Sequence, residues 1–204
     1  MNRSRSKKQS GVYQTVYTND FIYEYPQLVS PEECDRIVAH ATKKGLCQDR
    51  FLDGLYLQSH EPVYNPLLTD QVWLDTSYPV IDTINQRIST VLHRSLDHQP
   101  PFEIIRYTSR IEATPPHHDA HTRSDLKREG IRQRFATMVL YLNDDYTGGE
   151  TYFPLLHKTI RPEKGKMLFF YNVTHHDSIR HTSLHQNFKV TEGEKWVAYR
   201  CITL

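Results

Sequence analysis

The chain changes texture at Pro101, and that change limits the fold more than any other feature. Downstream lie "FEIIRYT" (102–108), "FATMVLYL" (135–142), "ETYF" (150–153), "KMLFFYN" (166–172) and "KWVAYRCITL" (195–204). Each run is short and rich in β-branched and aromatic residues, and clusters of Gly, Pro, Asn and Asp separate them. The pattern predicts an antiparallel β-sandwich or barrel, mainly β within an α+β class, with helices packed outside it. Period-two alternation sorts "RFATMVLYL": Thr137, Val139 and Tyr141 share one face, and Ala136, Met138, Leu140 and Leu142 the other. Two hydroxyls on one face suggest the inside of a barrel that holds a polar ligand, with core packing the simpler role for Tyr141. Trp73 and Trp196 read as core residues.

Two helices precede the strands. "SPEECDRIVAHATKKG" carries a full set of boundary signals: Ser30 as N-cap, Pro31 at N1, Glu33 closing a capping box and Gly45 as stop. A second helix is predicted from Pro79 to Leu96, with Ile81, Ile84, Ile88 and Leu92 on one face. "TRSDLKREGIRQR" reads as an exposed loop or short helix between strands. Residues 1–19 are expected to form a flexible tail and 20–204 a single domain. The start, "MNRSRSKKQS", is basic but lacks the apolar segment of a secretory signal.

Composition narrows the classes further. Hydrophobic residues make up 38% and charged residues 24% of the chain, too apolar for a disordered protein. The net charge of +1 predicts no strong pull toward nucleic acid or an anionic membrane. No apolar run reaches the length of a bilayer span. Cys34, Cys47 and Cys201 show no C-x-x-C spacing and cannot all pair within one chain. Free thiols in a reducing, intracellular and cytoplasmic setting are expected.

One triplet occurs twice. His117-His118-Asp119 in "TPPHHDAHT" is echoed by His175-His176-Asp177 in "NVTHHDSIRH". In an extended strand His117 and Asp119 point the same way and His118 points away. Two histidines and a carboxylate on one face of an octahedron leave three positions open, the donor set of non-haem Fe(II) oxygenases. A third ligand must come from elsewhere, and H-x-D alone is weak evidence. Lys195 adds a second hint. It shares its strand face with Val197, Tyr199 and Cys201, and a lysine there is costly unless it meets an anion.

Taken in order, H-x-D, "GGETYFP" (148–154), His185 and Lys195 ten residues later in "GEKWVAYRCI" resemble the prolyl 4-hydroxylase-like family of 2-oxoglutarate/Fe(II) oxygenases. "LVSPEECDRIV" also looks like that family's first helix, so the resemblance covers about residues 20–203. It implies a double-stranded β-helix (jelly-roll) core with supporting N-terminal helices. It also implies Fe(2+) held by His117, Asp119 and His185, with those residues as the catalytic set. Lys195 would bind the C5 carboxylate of 2-oxoglutarate, with Tyr107 and Thr137 as further co-substrate contacts, O2 as oxidant and L-ascorbate as reductant. The second triplet and His181 then fall in a polar loop, exposed or touching substrate. Gly148, Gly149 and Glu150 read as a tight turn with structural work.

The implied activity is hydroxylation of an unactivated C–H bond, first among them C4 of a prolyl residue in a peptide or protein. Another residue or a small molecule as substrate, or a non-catalytic metal- or peptide-binding module, are the alternatives. The sequence does not specify an oligomeric state. The chain departs from the family around "TSRIEATPP", and again where Tyr199 and Cys201 replace a threonine and a tryptophan. Both replacements lie on the Lys195 face, so the substrate end of the pocket should have its own shape.

Overall fold

The computed structural model describes residues 16–19, 21–50 and 68–203. In chain order the elements are β1 (Val16–Asn19), β2 (Ile22–Tyr25), α1 (Pro31–Lys44), β3 (Cys47–Arg50), β4 (Leu68–Leu74) and α2 (Pro79–Leu92). There follow β5 (Phe102–Thr108), α3 (Arg123–Glu129), β6 (Arg134–Tyr141), β7 (Thr147–Gly148), β8 (Thr151–Phe153) and β9 (Lys158–Ile160). The last strands are β10 (Met167–Tyr171), β11 (Gln186–Asn187), β12 (Val190–Glu192) and β13 (Glu194–Thr203). Of the segment expected to be a tail, residues 1–15 lie outside the described residues. Val16–Asn19 instead adds an edge strand, paired with β2.

An eight-stranded sheet in the order β1-β2-β10-β6-β13-β5-β4-β3 forms one wall. The short ladders β11-β8-β9 and β12-β7 form the other. Every pairing is antiparallel. Phe153 of β8 and Ile160 of β9 pack with Ile105, Tyr141, Leu168, Phe170 and Val197 of the large sheet, closing the two walls around an apolar interior. This is the double-stranded β-helix, a jelly roll in which two sheets share one core.

The opposite face of the large sheet carries the helices. Ala136, Met138, Leu140 and Leu142, together with Trp196, Ala198 and Ile202, pack on Cys34, Ile37, Ala41, Ile81, Ile84 and Ile88. Both faces of β6 and β13 are therefore largely buried, and the alternation decides which wall each residue meets. Trp73 departs from its expected core position. Val72 and Leu74 point to the helices, and Trp73, on the other face, is 42% exposed.

Helix α1 begins and ends where its signals put it. The Ser30 hydroxyl accepts from the Glu33 amide and the Glu33 carboxylate accepts from the Ser30 amide, a box worth about 1 kcal/mol. The same carboxylate takes a two-pronged bond from Arg87 of α2, at 2.7 and 2.8 Å, which ties the two helices together. Helix α2 stops at Leu92 rather than Leu96. His93 turns left-handed (φ 50°), and the Arg94 amide donates back to the Ser89 carbonyl. Leu96 is nevertheless buried, reaching the core from the loop, which is why its apolar spacing reads as continued helix. "RSDLKRE" is the short helix α3, capped by Thr122 and Asp125. No helix among the described residues is long and apolar enough to cross a membrane.

Candidate metal centre and buried lysine

His117 and His185 lie far apart in sequence and meet as a backbone pair. The His117 amide donates to the His185 carbonyl at 2.9 Å and the His185 amide returns the bond at 3.0 Å. Residues paired in this way send their side chains to the same face. Their rings stand 4.4 Å apart between centroids. Asp119, two residues on from His117, joins them: Oδ1 is 3.6 Å from His117 Nε2, and Oδ2 is 3.8 Å from His185 Nε2. One ligand atom from each of the three lies within 4.8 Å of the others, and all three residues are buried. Among the described residues no other group of three His, Cys, Asp or Glu side chains comes together in this way.

The tautomers follow from the neighbours. His117 Nδ1 sits 2.9 Å from the Pro115 carbonyl and His185 Nδ1 3.0 Å from the Ser183 carbonyl. A carbonyl only accepts, so each Nδ1 carries the proton and each Nε2 turns a lone pair toward Asp119. Burial lowers the His185 pKa to about 4, with His117 adding to the effect and Asp119 opposing it, so the ring is neutral at physiological pH. For Asp119 burial acts upward, but His185, His117 and the Thr137 hydroxyl outweigh it and hold the carboxyl below its ordinary value. The Thr137 hydroxyl donates to Oδ2 at 2.5 Å and itself accepts from Asn172 Nδ2 at 2.8 Å. Oδ1 is buried with no hydrogen-bond partner. Two imidazole lone pairs and an orphaned carboxylate oxygen converging in a dry pocket fit a divalent cation and leave part of its coordination sphere free.

The other half of the site is Lys195. It pairs with Tyr107 across β13 and β5, points into the jelly roll and is 2% exposed. Its ammonium donates to the Gly149 carbonyl at 2.7 Å and to Asn187 Oδ1 at 3.3 Å. Asn187 Oδ1 also accepts from Thr151, whose hydroxyl lies 3.2 Å from that of Tyr141. The Tyr107 and Tyr141 rings lie 5.2 and 5.8 Å from the ammonium. Neutral oxygens and π faces surround the cation, and no carboxylate among the described residues bonds to it. Burial accordingly lowers its pKa to about 7, with the Glu150 charge opposing only weakly. An anion beside such a group would offset the cost of its burial. Tyr107 links the two halves: its ring covers the ammonium, and burial, with the charges of Glu103 and then Asp119 adding to it, raises its phenol pKa. Phe153 and Phe170 flank His185, with ring centroids 5.7 and 5.0 Å away.

Several side chains take parts that the sequence reading did not give them. Thr137 bonds Asp119 and Asn172, and its hydrogen bonds do not extend to Lys195. Gly149 makes the expected turn (φ 71°) and in addition offers its carbonyl to Lys195. Asn172, Asn187 and Thr151 were not singled out. Asn172 closes the apolar run "MLFFY", which was an available signal, whereas Asn187 and Thr151 stand among polar neighbours that give none. Tyr199 and Cys201 do face the interior. The Tyr199 hydroxyl is 2.9 Å from Cys201 Sγ, which lies 3.7 Å from Thr137 Oγ1.

Comparison with known proteins agrees with this geometry. The profile of the 2OG-Fe(II) oxygenase superfamily matches residues 102–202. A protein named putative prolyl 4-hydroxylase from Acanthamoeba polyphaga mimivirus is 29% identical over 189 residues, spanning 89% of this chain and 73% of that protein. Prolyl 4-hydroxylase 1 of Arabidopsis thaliana is 31% identical over 198 residues, and the match covers 83% of this chain but 64% of the plant protein. Among solved structures, the viral collagen prolyl hydroxylase of Paramecium Bursaria Chlorella virus-1, in complex with 2OG, superposes with a TM-score of 0.70. It shares 26% identity and covers 89% of this chain and 95% of its own. With the fold, the converging donor set and these relatives in agreement, the chain belongs to the 2-oxoglutarate/Fe(II) oxygenase superfamily, as a prolyl 4-hydroxylase-like member.

Proposed function

We propose that the protein is a dioxygenase that uses Fe(II) and 2-oxoglutarate to hydroxylate C4 of a prolyl residue in a peptide or protein. The observation that carries this reading is the pairing of two features in one interior: an open two-histidine, one-carboxylate set and a buried ammonium with no counter-ion bonded to it. When bound, the iron and co-substrate supply an oxidant strong enough for an unactivated C–H bond, while 2-oxoglutarate leaves as succinate and CO2.

The chain's own residues supply position. His117 Nε2, His185 Nε2 and Asp119 Oδ1 would hold the ion, and the Pro115 and Ser183 carbonyls fix both rings. Thr137, held by Asn172, ties Oδ2 and so presents Oδ1. Lys195 would take the far carboxylate of 2-oxoglutarate, with Tyr107 and Tyr141 walling the ammonium off from water. Ascorbate as reductant and a prolyl target belong to the same proposal and rest on the likeness to proteins named prolyl 4-hydroxylase.

The test is succinate release by iron-loaded protein with 2-oxoglutarate, ascorbate and a set of proline-containing peptides, followed by mass spectrometry of the peptides. Succinate formation stimulated by peptide, with one oxygen gained at proline, is expected. Succinate stimulated only by non-proline substrates would move the target. No succinate with any substrate would overturn the activity.

A further inference from the structure

The helix-facing row of β13 runs Trp196, Ala198, Arg200 and Ile202, and Arg200 does not belong there on apolar grounds. It is 3% exposed, and its guanidinium lies over the Phe102 ring with Cζ 3.7 Å from the centroid. Nη1 donates to Asn85 Oδ1 of α2 at 2.7 Å. Nε is buried with no partner, and Nη2 bonds none of the described residues. The Nε–Nη2 edge is the fork with which arginine grips a carboxylate or phosphate through two parallel bonds, and here that fork is unpaired. Burial lowers the Arg200 pKa to about 10 with no carboxylate to offset it.

Arg200 lines a cavity of about 470 Å³ between α2 and the 95–101 loop, on the far side of the large sheet from the metal centre. Three carboxylates line the same cavity, and none pairs with the guanidinium. Asp82 accepts from Gln86, Asp97 from Ser95 and Asp75 from the Ser77 amide. Opposite charges thus share one cavity without touching. A buried cation without a counter-ion is costly, and ring stacking with a single amide contact offsets only part of that cost. A phosphate would satisfy the fork but bring two negative charges among three aspartates. A carboxylate that carries its own ammonium satisfies both ends.

We propose that this cavity is a second binding site, for a small zwitterion of the α-amino acid class. Arg200 grips the carboxylate, and Asp97 receives the ammonium. The proposal does not depend on the activity proposed above. Arg200 lies between Tyr199 and Cys201 in sequence, both of which face the other wall, so a ligand here bears on the strand that shapes the substrate end of the interior.

The test uses the full chain and free L-amino acids offered one at a time, by thermal shift and then calorimetry. Acetate, methylammonium, inorganic phosphate, and the N-acetyl and methyl-ester forms of any binder are run in parallel. The expected result is saturable binding of at least one amino acid, lost on blocking either end. It should weaken by about tenfold or more, about 1.4 kcal/mol, in Arg200→Lys, which keeps the charge but not the fork. Asp97 is exposed, so Asp97→Asn should fold normally and also weaken binding. Asp119→Ala should leave it unchanged, which separates this cavity from the metal centre. No saturable binding by any amino acid would overturn the proposal. So would phosphate binding more tightly than any amino acid, unchanged affinity in both Arg200→Lys and Asp97→Asn, or loss of binding in Asp119→Ala.

Discussion

The same three residues, His-His-Asp, occur twice in this chain and come to opposite ends. In the first copy His117 and Asp119 are buried, aligned by the backbone bridge to His185 and held by carbonyl and hydroxyl partners. In the second, His175, His176 and Asp177 are all exposed. They sit in a tight turn closed by Thr174 and Ser178, where Asp177 takes a left-handed φ of 56°. The His175 and His176 rings lie against each other, 3.9 Å between centroids, rather than converging with the carboxylate. Neither triplet lies in a regular strand: His117 is pinned by a single antiparallel bridge to His185 with Asp119 in the bend that follows, whereas the second triplet is curled into a hydrogen-bonded turn. The lesson is that the tripeptide supplies donors while the backbone decides whether they make a site.

The largest expected contrast is in turnover. Asp119→Ala or His185→Ala should reduce activity to background, whereas His176→Ala should keep most of it; comparable losses from both sets would break the comparison. Next comes Lys195→Ala, which removes a charge-assisted contact worth about 2–3 kcal/mol and should raise the 2-oxoglutarate requirement roughly 30- to 150-fold. An unchanged co-substrate dependence would remove Lys195 from its role.

The lysine also predicts a pH dependence. Its pKa without ligand is about 7, and only the protonated form offers a charge to the carboxylate. Above that pH, binding must take up a proton, so 2-oxoglutarate affinity should fall as pH rises through about 7. Calorimetry in buffers of different ionisation enthalpy would detect the proton uptake, and a flat profile would contradict the assignment.

Thr137→Val, which leaves Asp119 Oδ2 without its donor, should weaken metal binding about 10- to 100-fold. Thr137→Ser should restore it, a rescue that general loss of packing would not give. At the small end, Asp177→Gly in the second triplet should change stability by no more than about 0.5 kcal/mol, since glycine accepts the left-handed turn and nothing is buried there. A larger loss by thermal unfolding would mean that this triplet has work of its own.

Much of this was legible in the sequence, for identifiable reasons. The faces of β6 and β13 followed from alternation, because burial on both walls leaves only parity to sort them. Helix α1 was marked at both ends by local capping chemistry. What stayed hidden depends on contacts across the chain. The His117–His185 bridge cannot be deduced from either segment alone, and the family resemblance was needed to join them. The Thr137 hydroxyl could be placed in the interior but not against Asp119, because that contact depends on a loop returning from outside the sheet. Trp73 illustrates the converse: its residue type favours the core, and only the reach of the opposite wall decides that it stays exposed. β3, β4 and the short ladders β7, β9, β11 and β12 carry no local signal strong enough to announce a strand, since neighbours impose their pairing.

The central claim concerns where the metal sits, and anaerobic Fe(II) titration by calorimetry tests it most directly. The proteins compared are the unmodified chain, Asp119→Ala, and a variant with His175, His176 and Asp177 all replaced by alanine. One equivalent bound by the unmodified protein and by the triple variant, with none held by Asp119→Ala, is the predicted result. Binding that survives Asp119→Ala, or disappears in the triple variant, would contradict it.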